Sequence, residues 1–315
     1  MQTVVTGGAG FIGSTLVDRL LADGHDVLVI DNLASGNLDN LSEARATYGE
    51  HVEFAEIDIR SDDVVEVIAR RQPEVVFHLA AQADVRVSVA DPVFDAEVNV
   101  IGSLKVIKGA LRAGSRKVVF ASSGGTIYGE PKPEALPVRE DYPQQPVSPY
   151  GVAKKVVNEY LFAFKQLHGL DFTSLALANV YGPRQDPHGE AGVVAIFAGR
   201  LLAGEGCTIF GDGEQTRDFV YVEDVVDAFV RSIDRGSGLV LNIGTGEETS
   251  VNTLYEVMAR AVGVADSVIH ADPRPGELAR SALDPTLAGK ELGWVPSVSL
   301  PDGVARTLEW FRRRR

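Results

Sequence analysis

Cysteine is almost missing from this chain. The one thiol, Cys207, cannot form an intramolecular disulfide and supplies no cysteine cluster for a metal. No metal site is expected, and a reducing cytoplasm suits such usage. A stretch of membrane-spanning length is absent, so no membrane partner is expected. There is no basic-then-apolar leader either; strand-forming residues begin by residue 3, which leaves no room for a cleaved signal. Positive charge is in deficit: 30 Lys and Arg face 44 Asp and Glu, a formal net charge of −14. That balance argues against general nucleic-acid binding, although a locally basic pocket remains compatible with an anionic ligand. The arginines at 312–315 read as a solvated helix end, where positive charge suits the helix dipole. Low-complexity linkers and internal repeats are missing too. What remains is ordinary globular composition, 45% hydrophobic and 23% charged over 315 residues, enough for one large or two modest domains.

The glycines near the N-terminus are placed with purpose. Thr3-Val4-Val5 is a short apolar run suited to a buried strand, and Gly7-Gly8-Ala9-Gly10-Phe11-Ile12-Gly13 follows at once. Phe11, Ile12, Leu16, Val17, Leu20 and Leu21 then recur at helical spacing. Strand, glycine turn and helix together form the context in which backbone N–H groups and a helix N-terminus receive a pyrophosphate. The spacing is G-x-x-G-x-x-G rather than G-x-G-x-x-G. A second strand ends in Asp31, an acid that accepts hydrogen bonds from a ribose and repels a 2′-phosphate, which favours NAD over NADP.

The first half of the chain alternates strand and helix. Strand signals fall at 3–6, 26–30, 52–56, 75–79 and 118–121, with helical patterns at 11–23, 62–70 and 92–112 among those between them. This rhythm predicts an α/β fold, a Rossmann-type doubly wound parallel sheet. Gly7, Asp31, Asp58, Ala80-Ala81 and Ser122-Ser123 fall at the carboxyl ends of the strands, where such sheets bind ligands. After about residue 180 the rhythm breaks in a turn-rich stretch at 181–189. The expected division is an NAD-binding domain over 1–178, to which a segment near 214–240 returns, and a smaller C-terminal α/β substrate domain over 179–315.

Tyr150 and Lys154 carry the chemistry. Ser148-Pro149 reads as N-cap and first helical position, so the two side chains stand four apart on one helix face. A free tyrosine is a poor base at neutral pH; a neighbouring ammonium favours its phenolate. Tyr150 is then suited to take a proton from a sugar hydroxyl as hydride leaves the same carbon. A further hydroxyl is expected to hold the reacting oxygen, with Ser122, Ser123 and Thr126, just after the fifth strand, as candidates.

These residues resemble the extended short-chain dehydrogenase/reductase superfamily and, within it, the UDP-glucose 4-epimerases. The resemblance runs over essentially the whole chain, through Val5 to Gly13, Asp31-Asn32-Leu33, Asp58-Ile59-Arg60, His78 to Ala81, Asn99-Val100-Ile101-Gly102, Ser148-Pro149-Tyr150-Gly151 with Lys154, Asn179 to Pro183, Gly211-Asp212-Gly213, Arg217 to Val220 and Arg274 to Glu277. It implies an NAD site lined by Gly7, Gly10, Phe11, Ile12, Gly13, Asp31, Asn32, Ser35, Gly36, Asp58, Ile59, Leu79, Ala80, Ala81 and Asn99, together with Tyr150 and Lys154. It implies that Asn179, Arg217 and Arg274 hold UDP, with Glu277 at the uridine ribose. The implied reaction inverts C4 of a UDP-hexose through a 4-keto sugar. Homodimers through the helices at 92–112 and 149–168 are also implied.

Three departures or choices sharpen the reading. Many such epimerases carry a third serine after the pair at 122–123, where this chain has Gly124; the hydroxyl role then passes to Thr126, the favoured residue, or Ser123. Some relatives place a lysine after the fourth strand, where this chain reads Gln82-Ala83-Asp84. The position matching a gate beside the sugar's C2 substituent is Ser281, small enough to admit UDP-N-acetylglucosamine. Alternatives are a UDP-glucuronate 4-epimerase or decarboxylase, and an NDP-sugar 4,6-dehydratase, disfavoured because no acid precedes Tyr128. A non-enzymatic NAD-sensing protein on the same fold is disfavoured by the Tyr–Lys pair.

Overall fold

Buried β-branched residues build the first strand, β1 (Gln2–Thr6), whose Val4 and Val5 are solvent-free. The structure is a computed structural model and describes residues 1–187, 192–264, 268–273 and 278–314. From β1 the chain turns through glycine into α1 (Phe11–Ala22), then β2 (Asp26–Asp31), α2 (Ser42–Tyr48), β3 (Val52–Glu56), α3 (Asp63–Arg71) and β4 (Val75–His78). Two short helices follow, α4 (Val85–Ala90) and α5 (Pro92–Ala96). A π-helical stretch at Glu97–Gly102 joins α5 to α6 (Ser103–Ala113), so the helix expected at 92–112 is one run with a π insertion around Asn99. Then come β5 (Lys117–Ser123), α7 (Gly124–Ile127), α8 (Pro149–His168) and β6 (Asp171–Leu177).

The second half opens with β7 (Asn179–Tyr181), α9 (Val193–Ala203), β8 (Cys207–Phe210), β9 (Thr216–Arg217), β10 (Phe219–Tyr221) and α10 (Val222–Arg231). It continues with β11 (Leu239–Ile243), β12 (Thr249–Ser250), α11 (Val251–Val262), β13 (Val268–Ala271), α12 (Thr286–Leu292) and α13 (Leu300–Arg313).

Seven strands form one sheet in the order β11-β6-β5-β4-β1-β2-β3, and every pairing in it is parallel. This is the doubly wound arrangement that the strand–helix rhythm predicts. Helices cover both faces, so the central strands are near-continuous apolar runs rather than alternating ones. On one face Leu16, Val17, Leu20, Val225 and Phe229 pack against Val5, Val29 and Phe77. On the other, Val64, Ile68, Ile107, Val157 and Leu161 pack against Val4, Val76 and Phe120. A third cluster, with Tyr181, Phe197, Tyr221, Leu254 and Leu308, joins β7, β10, α9, α11 and α13.

Two sheet strands, β6 and β11, lie beyond those expected from the sequence. β6 reads Asp-Phe-Thr-Ser-Leu-Ala-Leu, and its Thr173 and Ser174 are fully buried. Tertiary partners satisfy them: Thr173 Oγ1 donates to Gly236 O (2.8 Å) and Ser174 Oγ to Asn158 Oδ1 (2.6 Å). No helix among the described residues is long and apolar enough to cross a membrane.

Candidate functional site

The order of strands reverses between β1 and β4, and the glycine loop lies at that crevice. Gly7 has φ +71°, and a β-carbon there would lie 2.7 Å from Ala80 N, so only glycine lets this turn abut the loop after β4. A β-carbon on Gly13 would fall 2.1 Å from Gly7 O. The first turn of α1 therefore sits directly on the loop, with Gly10 as N-cap and no side chain over the helix end. This is a cradle that side chains would fill, and it fits a pyrophosphate.

Asp31 closes β2 and is 7% exposed. Its carboxylate accepts from Ala9 N (3.0 Å) and Leu33 N (2.9 Å), and it lies against Gly36, where a β-carbon would come within 2.8 Å of Oδ1. Burial raises its pKa, while those backbone N–H groups oppose the rise. Asn32 Nδ2 donates to Asp58 Oδ2 (3.0 Å), and the Arg60 guanidinium beside Asp58 pulls its carboxyl down to about 2. Ile59 is buried against Gly102. Phe11 and Ile12 are half-buried at the start of α1, and Ser35 and Gly36 follow Asp31 in the same loop. The structure thus gathers the residues assigned to NAD at one end of the sheet, where their shape and acid suit a dinucleotide.

Loop residues after β4 are locked from the other side. Asn99, 2% exposed, exchanges two bonds with the Gln82 backbone, Gln82 N to Asn99 Oδ1 (2.9 Å) and Asn99 Nδ2 to Gln82 O (2.8 Å). Where some relatives carry lysine, Gln82 here turns inward to Asp95 Oδ1 (3.0 Å). His78 is fully buried at the end of β4. Ser103 Oγ gives its proton to Asn99 O (2.6 Å), so His78 Nε2 donates to Ser103 and Nδ1 accepts from Thr6 Oγ1 (2.7 Å). Burial drives the His78 pKa down to about 3 and keeps the ring neutral.

Ser148 accepts from Gly151 N (3.2 Å), Pro149 opens the helix, and α8 carries Tyr150 and Lys154 on one face. Lys154 is 3% exposed; its Nζ donates to Ala121 O (2.8 Å) and lies 4.8 Å from the Phe120 ring centroid and 5.5 Å from that of Tyr150. Burial lowers its pKa to about 8. A charge there favours the Tyr150 phenolate.

The hydroxyl candidates sit differently from expectation. β5 runs through Ser122 and Ser123 instead of ending before them, because it pairs with β6 as far as Ser123 opposite Leu177. Ser122 is buried and accepts from Asn158 Nδ2 (3.3 Å). Thr126 stands on α7, its hydroxyl directed at Ser123 O (3.4 Å). α7 packs closely on α8, since a β-carbon on Gly151 would lie 2.8 Å from Thr126 O.

On the substrate side, Asn179 is exposed at the start of β7, and Arg217 stands on β9 with Nη1 donating to Leu278 O (2.8 Å). Ser281 is 8% exposed in the segment that follows. Arg274 and Glu277 lie outside the described residues. Sequence reasoning missed Asp218, 1% exposed, which gathers Thr245 N, Thr245 Oγ1, Gly246 N and Leu283 N. It also missed Asp95, whose one legible signal is its place four residues before Asn99 on a helix. Among the described residues no cluster of His, Cys, Asp or Glu could hold a metal.

Known proteins share this fold. The model of the NAD dependent epimerase/dehydratase family matches residues 3–244. A UDP-glucose 4-epimerase from Mycolicibacterium smegmatis is 53% identical over 315 residues, covering 100% of this chain and 99% of that protein. The crystal structure of a UDP-glucose 4-epimerase with UDP-glucose from Thermotoga maritima superposes with a TM-score of 0.95 at 46% identity, covering 100% of this chain and 99% of the other. The Thermus thermophilus UDP-glucose 4-epimerase in complex with NAD gives 0.92 at 43% identity, covering 99% of each chain. With a matched domain of this extent and relatives this similar end to end, the chain belongs to the NAD dependent epimerase/dehydratase family.

Proposed function

We propose that this protein inverts C4 of a UDP-hexose, interconverting UDP-glucose and UDP-galactose through a 4-keto sugar. The observation that carries the reading is the Tyr150–Lys154 pair on α8, with the buried Lys154 ammonium anchored at Ala121 O beside the Tyr150 ring, in a chain similar throughout to UDP-glucose 4-epimerases.

The cradle of Gly7, Gly10 and Gly13, with Asp31, Asn32 and Asp58, would hold NAD, which supplies a reversible hydride acceptor when bound. Tyr150 takes the proton from the 4-hydroxyl as a phenolate and returns it as a phenol; Lys154 keeps the phenolate accessible near neutral pH. Ser123 and Thr126 stand at the mouth of β5 and α7 to hold the reacting oxygen. Asn179, Arg217, Arg274 and Glu277 are the residues for UDP, whose anchoring retains the sugar while it turns its other face. The small Ser281 suits a bulkier C2 substituent, so turnover of UDP-N-acetylglucosamine is expected beside that of UDP-glucose.

A homodimer through α5, α6 and α8 accompanies this reading. Exposed on these helices and the π stretch are Val93 (68%) and Phe162 (54%), together with Ile101 and Val152, a surface that a second copy would cover. The buried thiol of Cys207, pushed up to about 11 by burial, suits a reducing cytoplasm.

The test is incubation of the purified protein with UDP-galactose, without added NAD, followed by NMR. UDP-glucose should appear, and Tyr150→Phe should slow its formation by about 10²–10⁴-fold. No conversion, with or without added NAD, overturns the proposal.

A further inference from the structure

We propose that Asp95 is a positioning residue that holds Lys154 in its charged form beside Tyr150. The inference rests on the Tyr150–Lys154 reading above and deepens it.

Lys154 is almost completely enclosed; besides the Tyr150 ring at 5.5 Å, it meets a carbonyl, Ala121 O, and the face of Phe120. Neither carries the full negative charge that a buried ammonium needs. Asp95 on α5, which packs against α8, is the carboxylate whose field opposes the loss of that charge. It is itself 1% exposed.

Its local bonds do most to hold its charge, and the field of Lys154 adds to them. Asp95 Oδ1 accepts from Gln82 Nε2 (3.0 Å) and Asn99 Nδ2 (2.8 Å). An amide oxygen would serve both donors equally, without the desolvation that raises the Asp95 pKa. A carboxylate at this depth is costly without a cation nearby, and the Lys154 ammonium is the charge whose field favours it. Gln82 and Asn99 also fix the loop carrying Leu79, Ala80 and Ala81, so the same amides orient Asp95 and shape the proposed NAD pocket.

Several other charges on the packed elements are answered elsewhere. His78, on β4 behind Phe120, is neutral. Asp84 and Arg86 at α4 pair with each other, and Lys105 on α6 pairs with Asp62. Glu97 in the π stretch faces Arg60, and Lys155 on α8 donates to Gln144 O. Lys117 and Asp171 meet at the starts of β5 and β6, the end of the sheet away from Ala121.

The test uses Asp95→Asn, which keeps the shape and an acceptor but removes the charge. Protein carrying ¹³C-labelled lysine is titrated by NMR, with the Lys154 signal assigned by its loss in Lys154→Arg. The midpoint should fall by about one pH unit in Asp95→Asn. The alkaline limb of the turnover profile should move down with it, while KM stays unchanged. Asp95→Glu, which retains charge, should keep the limb near its original position. An unmoved Lys154 midpoint, or a turnover profile scaled equally at all pH values, overturns the proposal. Coupling is reciprocal, so Lys154→Met must raise the Asp95 titration midpoint in ¹³C-aspartate-labelled protein. That measurement decides the matter even if Asp95→Asn does not fold, and an unmoved Asp95 midpoint sinks it. Neither titration needs substrate, so absent epimerisation by the unaltered protein would defeat the proposed function and leave this inference to its own readout.

Discussion

Gly124 and Leu283 share one volume: a β-carbon built on Gly124 would lie 2.3 Å from Leu283 Cδ1 and 3.0 Å from Ala176 O. Leu283 is 1% exposed and cannot swing into solvent. A serine at this point would therefore crowd a leucine from the far end of the chain. Gly124→Ser should destabilise the fold by about 1–3 kcal/mol through overpacking. Adding Leu283→Ala should return part of that loss, so the two changes will be non-additive in urea unfolding. Simple additivity would show that the two sites do not compete for space.

Gly13→Ala tests the dinucleotide cradle. Its β-carbon would collide with Gly7 O, a backbone atom that cannot move without displacing the turn. Protein purified with this change should carry little or no NAD when denatured and assayed by chromatography. Full NAD content would mean that the loop does not hold the cofactor.

His78 makes stability fall in acid. Burial holds its native pKa at about 3, below the unfolded value of about 6.5. Below the unfolded value the denatured chain takes a proton that the native ring refuses. The stabilisation is thus complete above about pH 6.5 and is lost towards pH 3, at about 1.4 kcal/mol per unit. Subtracting the urea stability of His78→Gln from that of the unaltered protein, between pH 7 and 4.5, isolates this slope. Parallel curves would contradict it.

Asp218 ties three segments that are distant in sequence. Asp218→Ala leaves the N–H groups of Thr245, Gly246 and Leu283 without their acceptor and should cost about 3 kcal/mol or more. Hydrogen exchange at those three amides should accelerate before that of the central strands. Unchanged protection there would mean that the loops are held by something else.

The glycine turn, the acid that ends β2 and the helix carrying Tyr150 and Lys154 were legible because each is local. The glycine loop lies within one strand–turn–helix unit, Asp31 at the end of one strand and the Tyr150–Lys154 pair on one helix, where the backbone alone fixes geometry. Asp95 and Asp218 were not legible. An aspartate in a sequence reads as a solvated surface group, and only the chain's return brings Gln82 and α8 to one, or Thr245 and Leu283 to the other. β6 was hidden for a related reason: Thr173 and Ser174 look like turn residues until Gly236 and Asn158 arrive to bond them.

By itself, then, the sequence determined the alternation of strand and helix, the parallel sheet that follows from it, the glycine turn and the helix that presents Tyr150 and Lys154. Those depend on hydrophobic period and backbone freedom, which are written in neighbouring residues. Tertiary structure alone decided which polar groups are buried and what satisfies them. Leu283 reaches Gly124 and Asp95 acts on Lys154 only after folding, because desolvation and charge act through space and not along the chain.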